Sequence, residues 1–116
     1  MGLRWDAISG HAGQKASLRT MLREGRLPHA LLFAGPDGIG KRMLGHVLAA
    51  AILCDSQEGP CGHCESCRAM QLGSHPDYLE VVPEQNGKST AQIRIEAIRS
   101  MQTQVSRYPV LAKQRV

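Results

Sequence analysis

The stretch Gly35-Pro36-Asp37-Gly38-Ile39-Gly40-Lys41 decides the predicted fold of this chain. It has the spacing Gly-x4-Gly-Lys, in which glycines let successive backbone N–H groups point into one anion-sized hollow. The lysine at the end of such a loop reaches the β- and γ-phosphates of a nucleotide. The stretch therefore predicts a loop shaped to hold phosphate, and the alternative is a glycine-rich turn that holds no ligand.

The sequence on either side supplies the two elements that such a loop connects. The short apolar run at 29–34 predicts a buried strand, and residues 41–53 predict a helix with a broad apolar face. Two rows at i+4 spacing make that face: Met43, Val47 and Ala51, then Leu44, Leu48 and Ile52. A strand, a glycine-rich turn and a helix in this order predict a P-loop NTPase. The expected fold class is α/β, a parallel sheet with flanking helices.

Further elements follow from the same kind of pattern. Residues 14–24 predict a helix that ends at Gly25, and 78–82 predict a second strand. A later helix presents one apolar face, with Ser89 or Thr90 as its N-cap; the face comprises Ile95, Ile98, Met101 and Val105. Residues 115–116 are expected to begin a third strand.

Position 42 departs from the full phosphate-loop motif. The motif continues with Ser or Thr, whose hydroxyl ligates Mg²⁺, and here the residue is Arg42. A guanidinium has only donors and places a positive charge where the cation should lie. Asp37 also brings a carboxylate near the phosphates. We therefore expect magnesium-dependent hydrolysis to be weak or absent, while nucleotide binding stays open.

Four cysteines follow that helix with the spacing Cys-x6-Cys-x2-Cys-x2-Cys, at Cys54, Cys61, Cys64 and Cys67. Two successive C-x-x-C steps bring sulfurs together as tetrahedral zinc requires, so the pattern predicts a four-cysteine zinc site. Four protein ligands leave no position for water, and the zinc is expected to be structural. Disulfide-bonded or free thiols with a redox role are the alternative. His63 is expected to be a solvated neighbour rather than a ligand.

Composition limits the classes of protein to which the chain can belong. The chain has 116 residues, a formal net charge of +4 and four aromatic side chains other than histidine. The apolar runs are too short to cross a membrane, and no secretory signal opens the chain. Reduced thiols fit the cytoplasm, where we expect the protein to lie. The end at Gln114-Arg115-Val116 resembles a cut through a longer protein.

Several segments resemble a known family. The runs 5–11 and 25–36 resemble the clamp-loader branch of the AAA+ ATPases. A four-cysteine module directly after the P-loop helix is similar to bacterial DNA polymerase III clamp-loader subunits, both delta-prime and tau/gamma. The segments 75–84 and 93–99 resemble the delta-prime family, and so does Gly-Lys-Arg, because tau/gamma carries Gly-Lys-Thr.

The resemblance implies a fold and a function. Residues 1–116 would form the N-terminal part of an AAA+ P-loop domain, with the zinc module at 54–67 as an insertion. Its nucleotide site would comprise the loop from Gly35 to Arg42, with Ile8 and Gly10 near the adenine. The Walker B strand and the Ser-Arg-Cys arginine finger would follow Val116.

A subunit of this kind helps load the sliding clamp onto primer-template DNA, with tau/gamma and delta as partners and no membrane. It acts as a scaffold and trans-activator of a neighbouring ATP site. One alternative is an active tau/gamma-type ATPase, against which Arg42 counts. Another is a zinc-stabilised DNA-binding module, which the low charge and few aromatics disfavour.

Overall fold

The computed structural model describes residues 4–28, 30–35, 40–56, 59–81, 95–105, 107, 109–112, 114 and 116. Within this part of the chain, regular structure consists of a short 3-10 helix and four α-helices. The 3-10 helix is Trp5–Ala7, and the α-helices are α1 (Ala12–Arg23), α2 (Lys41–Leu53), α3 (Glu65–Leu72) and α4 (Ile95–Val105). None of these helices is long and apolar enough to cross a membrane.

Helix α1 forms where the sequence predicts a helix, beginning two residues earlier. Its N-terminus is set by two residues in the left-handed region, Gly10 (φ 71°) and His11 (φ 55°). Lys15 then donates from Nζ to the carbonyl oxygen of Ile8 at 2.8 Å, which ties the helix to the segment before it. Its buried residue, Leu18, faces the core.

Helix α2 has the predicted bounds and is the centre of the structure. Its first half packs with Ile8 and Leu18 in one apolar cluster, to which it contributes Leu44, Val47 and Leu48. Its second half contributes Ala49, Ala50 and Leu53 to another cluster, which includes Met70 of α3 and is covered by Tyr78, Ala112 and Val116. The helix therefore joins two cores along one axis.

Helix α3 is not predicted by the sequence pattern. It begins where the Sγ atom of Cys64 accepts the N–H of Cys67 at 3.4 Å, and it ends at Gly73, which has φ 73°. It packs against α2. Only Ser66, Cys67 and Met70 are buried in it, so an apolar repeat could not reveal it.

The two predicted strands are not formed in the residues that the structure describes, 30–34 and 78–81; His29 and Val82 lie outside them. A strand needs a neighbour to accept and donate its backbone hydrogen bonds. Among the described residues, no backbone bond joins 30–34 to another segment. The parallel sheet is therefore not confirmed.

The segment after Asp77 makes one pair of backbone contacts of the parallel kind. Val116 donates its N–H to the carbonyl oxygen of Asp77 at 2.9 Å and accepts the N–H of Leu79 at 2.8 Å. One residue bonded to i−1 and i+1 of its neighbour is the pairing pattern of parallel strands. Arg115, the other residue of the predicted third strand, lies outside the described residues.

Helix α4 covers the predicted apolar residues from Ile95 to Val105. The N-cap candidates Ser89 and Thr90 lie outside the described residues.

Candidate metal centre and phosphate loop

The four cysteine sulfurs converge on one point. All four Sγ atoms lie within 4.8 Å of one another. The pair Cys61–Cys67 is 3.8 Å apart and the pair Cys54–Cys64 is 3.9 Å apart. Four sulfurs placed tetrahedrally about 2.3 Å from a zinc ion would be about 3.8 Å from one another. The arrangement has the size of a tetrahedral metal site, and it is too wide for a sulfur–sulfur bond of about 2.05 Å.

Backbone N–H groups point at these sulfurs. Cys54 Sγ accepts from Ser56 at 3.3 Å and from Cys61 at 3.4 Å. Cys61 Sγ accepts from Cys64 at 3.3 Å, and Cys64 Sγ accepts from Cys67 at 3.4 Å. Such donors stabilise a negatively charged sulfur and fix its direction. The local backbone therefore directs its donors at three of the four sulfurs.

The electrostatics of the cluster favour a cation. The N–H of His63 lowers the pKa of Cys61 to about 6, so this sulfur is a thiolate at pH 7. Burial raises the pKa of Cys54 and of Cys67. A positive ion between the sulfurs would offset this effect of burial and favour the thiolate form. The residues therefore fit a divalent ion bound with release of protons.

Gly59 and Trp5 pack the loop that precedes the second cysteine. A Cβ atom on Gly59 would lie 2.5 Å from Cys54 Cβ and 2.7 Å from Cys54 Sγ. Only glycine leaves room for the sulfur there. The indole Nε1 of Trp5 donates to the carbonyl oxygen of Gly59 at 3.0 Å, which attaches the N-terminal segment to the four-cysteine segment 54–67.

His63 has the position that the sequence predicts. Its side chain is exposed, and Nδ1 lies 2.9 Å from the carbonyl oxygen of Cys61. The imidazole is thus a neighbour of the sulfur cluster and not part of it.

At the phosphate loop, the structure describes Gly35 and Gly40 to Arg42; Pro36, Asp37, Gly38 and Ile39 lie outside the described residues. Gly35 and Gly40 have φ values of 153° and 95°. The Nζ atom of Lys41 donates to the carbonyl oxygen of Gly35 at 2.6 Å. The lysine side chain thus bonds the backbone at Gly35, the first residue of the predicted loop.

Arg42 is paired with an acidic residue from a distant segment. Its Nε atom lies 3.2 Å from Glu80 Oε1, and His46 Nε2 lies 2.9 Å from the same oxygen. The hydrogen bond from His46 and the charge of Arg42 lower the pKa of Glu80, against the opposing effect of burial. The first turns of α2 are therefore held against the segment that follows Asp77.

A cavity of about 270 Å³ opens beside the loop. Its lining residues include His11, Gln14, Phe33 and Lys41. Ile8 is buried in the first core cluster, with 5% of its surface exposed. The placement of Ile8 and Gly10 near an adenine stays a prediction.

The family model for the DNA polymerase III delta subunit matches residues 10–116. The chain belongs to this family. It is similar to the DNA polymerase III subunit delta' of Pseudomonas aeruginosa, at 41% identity over 63% of this chain and 22% of that protein. It is similar to the delta' subunit of Escherichia coli, at 36% identity over 79% of this chain and 27% of that protein.

The tau/gamma subunit of Haemophilus influenzae is 29% identical over 86% of this chain and 14% of that protein. The chain therefore spans about a quarter, or less, of the length of these curated relatives. No solved structure matches the chain. The resemblance to the bacterial delta-prime group is confirmed, and so is the coarser fold assignment, a clamp-loader AAA+ family domain.

The structure of this delta-family chain also reveals a polar group that the sequence did not indicate: Ser66, His75 and Asp77 are buried together. The ring nitrogen Nε2 of His75 lies 3.1 Å from Ser66 Oγ, and Nδ1 accepts the N–H of Asp77 at 3.0 Å. The Asp77 carboxylate accepts the N–H groups of Val110, Leu111 and Ala112 at 2.6, 2.7 and 2.6 Å.

This group is not a nucleophilic triad. In such a triad, the carboxylate binds Nδ1–H of the histidine and the serine gives up its proton to Nε2. Here Nδ1 accepts from a backbone amide, so a neutral His75 carries its proton on Nε2 and donates it to Ser66. Burial lowers the pKa of His75, which keeps it neutral. The three backbone N–H groups lower the pKa of Asp77, although burial acts in the opposite direction.

Proposed function

We propose that this chain is part of a clamp-loader subunit of the delta-prime type, which helps load the sliding clamp onto primer-template DNA. The family match over residues 10–116 supports the proposal, together with relatives named as delta' and tau/gamma subunits of DNA polymerase III. Its partners would be the tau/gamma and delta subunits, and through them the clamp and the DNA. Its location would be the cytoplasm.

The subunit serves as a scaffold and trans-activator rather than as a motor. The contact between Arg42 and Glu80 supports the absence of a motor role. It places a cationic donor where the motif requires a hydroxyl ligand for Mg²⁺. The ion pair also supplies Arg42 with an acidic partner of its own. A magnesium ion at this position would meet a positive charge and no oxygen from residue 42. Hydrolysis at this loop is therefore weak or absent, and nucleotide binding without turnover is compatible with the contact.

Zinc is the metal that best fits the four-cysteine cluster. Four thiolates at tetrahedral spacing suit zinc, and a site closed by four protein ligands supplies structure rather than chemistry. The ligands would be Cys54, Cys61, Cys64 and Cys67. Bound zinc would hold the end of α2 and the start of α3 in one unit, because Cys54 directly follows α2, Cys64 caps α3 and Cys67 lies in α3.

The proposed architecture around these sites is the parallel sheet of an AAA+ P-loop domain. The bonds that Val116 makes with Asp77 and Leu79 support it, since they have the parallel pattern. In this arrangement residues 29–34 and 78–82 would be strands, and residues 115–116 would begin the strand that leads to the Walker B motif.

The test uses the full-length protein. Delta-prime identity predicts that it co-purifies with its own tau/gamma and delta subunits, and that the isolated subunit hydrolyses no magnesium ATP above background. Failure to assemble with these subunits would overturn the clamp-loader role. Turnover that is abolished by Lys41→Ala would overturn the non-hydrolysing role and favour an active tau/gamma-type motor.

The metal is tested separately by elemental analysis. One zinc per chain is expected after purification in reducing buffer, and Cys67→Ser should lower the zinc content. Four freely titrating thiols and a metal content far below one per chain would contradict the zinc site without touching the clamp-loader role.

A further inference from the structure

The buried group formed by Ser66, His75 and Asp77 begins inside the metal module. Ser66 lies between the ligands Cys64 and Cys67 in the first turn of α3, and 1% of its surface is exposed. Because Cys64 and Cys67 flank it, a metal that holds both sulfurs also holds the Ser66 hydroxyl in place. A movement of the cysteine sulfurs would therefore shift the Ser66 hydroxyl, which contacts the buried ring of His75.

At its other end, the buried polar group bonds the backbone of the segment 109–112. Asp77 is fully buried and accepts three consecutive N–H groups, all within 2.7 Å, from Val110, Leu111 and Ala112. Its own carbonyl oxygen accepts the N–H of Val116. A buried carboxylate needs several donors, and each donor must be aimed at it. The position of Asp77 thus determines how 109–112 and Val116 are arranged.

His75 joins the two ends. It is 6% exposed, and both of its ring nitrogens are used, one toward Ser66 and one toward the backbone of Asp77. With both nitrogens engaged, the ring has one orientation that satisfies them. A shift of Ser66 would leave Nε2 of the buried His75 unpaired, unless the ring followed. If the ring followed, Nδ1 would lose the N–H of Asp77 unless Asp77 moved as well.

We infer that Ser66, His75 and Asp77 form a relay that couples metal occupancy of the cysteine cluster to the order of residues 110–112 and Val116. The inference rests on the proposed metal binding. In this relay the three side chains are positioning residues: a metal ion fixes Ser66, Ser66 orients His75, and Asp77 then holds the three amides. The segment that they hold leads into the proposed Walker B strand, so the metal acts on the nucleotide-binding half of the fold without contacting it.

A second contact also reaches this segment and must be separated from the relay. Ala112 and Val116 pack against the apolar cluster formed by Ala49, Ala50, Leu53 and Met70. Apolar packing is non-directional and holds the segment near α2, whereas the carboxylate requires each N–H to point at one oxygen. Breaking the relay while leaving the apolar cluster intact distinguishes the two.

The experiment is amide hydrogen exchange on the full-length protein in its zinc-loaded and chelated forms, in reducing buffer. We expect chelation to raise the exchange rates of Val110, Leu111 and Ala112 by about tenfold or more. The amides of α2 around Val47 report global unfolding and should keep their protection. If zinc loading leaves the three rates unchanged, the coupling is wrong.

The variants test the relay with zinc bound. Ser66→Ala and His75→Leu should retain one zinc per chain and yet exchange rapidly at 110–112, with little further effect of chelation. Gln71→Ala is the matched control, because it removes another hydrogen bond from α3 to the module, to the carbonyl oxygen of Gly62 at 3.4 Å, outside the relay. Wild-type exchange at 110–112 in both relay variants would overturn the inference, whereas a protein without zinc contradicts the metal proposal itself.

If chelation unfolds the whole chain, comparing zinc-loaded Ser66→Ala with zinc-loaded Gln71→Ala still tests whether the relay exists. Faster exchange at 110–112 in Ser66→Ala alone supports the relay. Equal exchange in the two variants refutes it.

Discussion

Gly59→Ala should disable the metal site without altering any cysteine. The added Cβ would lie 2.7 Å from Cys54 Sγ, where ordinary contact is 3.4–4 Å, so the sulfur or the loop must move by about 0.7–1.3 Å. A zinc site tolerates deviations of about 0.2 Å in its ligand distances. The clash is therefore several times larger than the tolerance. Movement of the loop is opposed by the bond from Trp5 Nε1 to the carbonyl oxygen of Gly59.

The magnitude follows from losing one of four ligands. Changes in the groups that merely orient a ligand weaken metal binding by about 10- to 100-fold. Displacing the Cys54 thiolate should cost at least the upper end of this range, about 100-fold in zinc affinity or about 3 kcal/mol. The assay is competition for zinc against a chromogenic chelator in reducing buffer, with wild type and variant measured side by side.

Gly13→Ala is the matched control for this clash. A Cβ at Gly13 in α1 meets nothing within 4 Å, so the same chemical change should leave zinc affinity unaltered. The reasoning is refuted if Gly59→Ala binds one zinc with wild-type affinity. It is also refuted if Gly13→Ala lowers the zinc affinity as much as Gly59→Ala does, because the loss would then reflect general destabilisation.

Three further outcomes can be measured. Gly45→Ala in α2 should raise the free energy of unfolding by about 0.5–1 kcal/mol in urea titrations, because its Cβ would lie 3.8 Å from the Phe33 ring, an ordinary contact, and alanine favours the helix. Trp5→Phe should lower it by about 1 kcal/mol through loss of the bond to the Gly59 carbonyl, while zinc content stays unchanged. Burial lowers the pKa of His75 from 6.5, so the stability it confers is complete above pH 6.5 and is lost as pH falls through the folded pKa. The stability difference between wild type and His75→Leu should accordingly narrow below pH 6.5, whereas a difference independent of pH would contradict the neutral, buried histidine.

The sequence predicted those features that depend on local pattern. The apolar rows of residues 41–53 predict α2 with its observed bounds, and the cysteine spacing predicts that the four sulfurs meet. Both signals lie within fourteen or fewer consecutive residues, so no long-range fold is needed to interpret them. The predicted strands could not be verified in the same way, because a strand is stabilised by a neighbour that its own sequence does not contain.

The features that the sequence missed depend on contacts between distant or non-periodic residues. Arg42 and Glu80 are 38 positions apart, so no motif spacing connects them. Helix α3 owes its start to the sulfur of Cys64, which caps the helix, rather than to an apolar face. Ser66 and His75 meet because α3 ends at Gly73 and the chain turns back. Each of these required the three-dimensional arrangement.

Helix α2 lies between the predicted phosphate loop and the cysteine cluster, so the two sites cannot act on the same bound group. Its thirteen residues span about 20 Å, with the predicted phosphate loop at one end and Cys54, the first cysteine of the cluster, directly after the other. A metal held there is too far from the loop to ligate a bound phosphate, which lies at the opposite end of a rigid rod. An influence of the cysteine cluster on the loop would therefore have to pass through the described segments that pack against the helix. Because Glu80, which binds Arg42, follows Asp77 by three residues, the relay and the loop share one short segment. A change in metal occupancy should therefore reach the loop through residues 77–80 rather than through α2 itself.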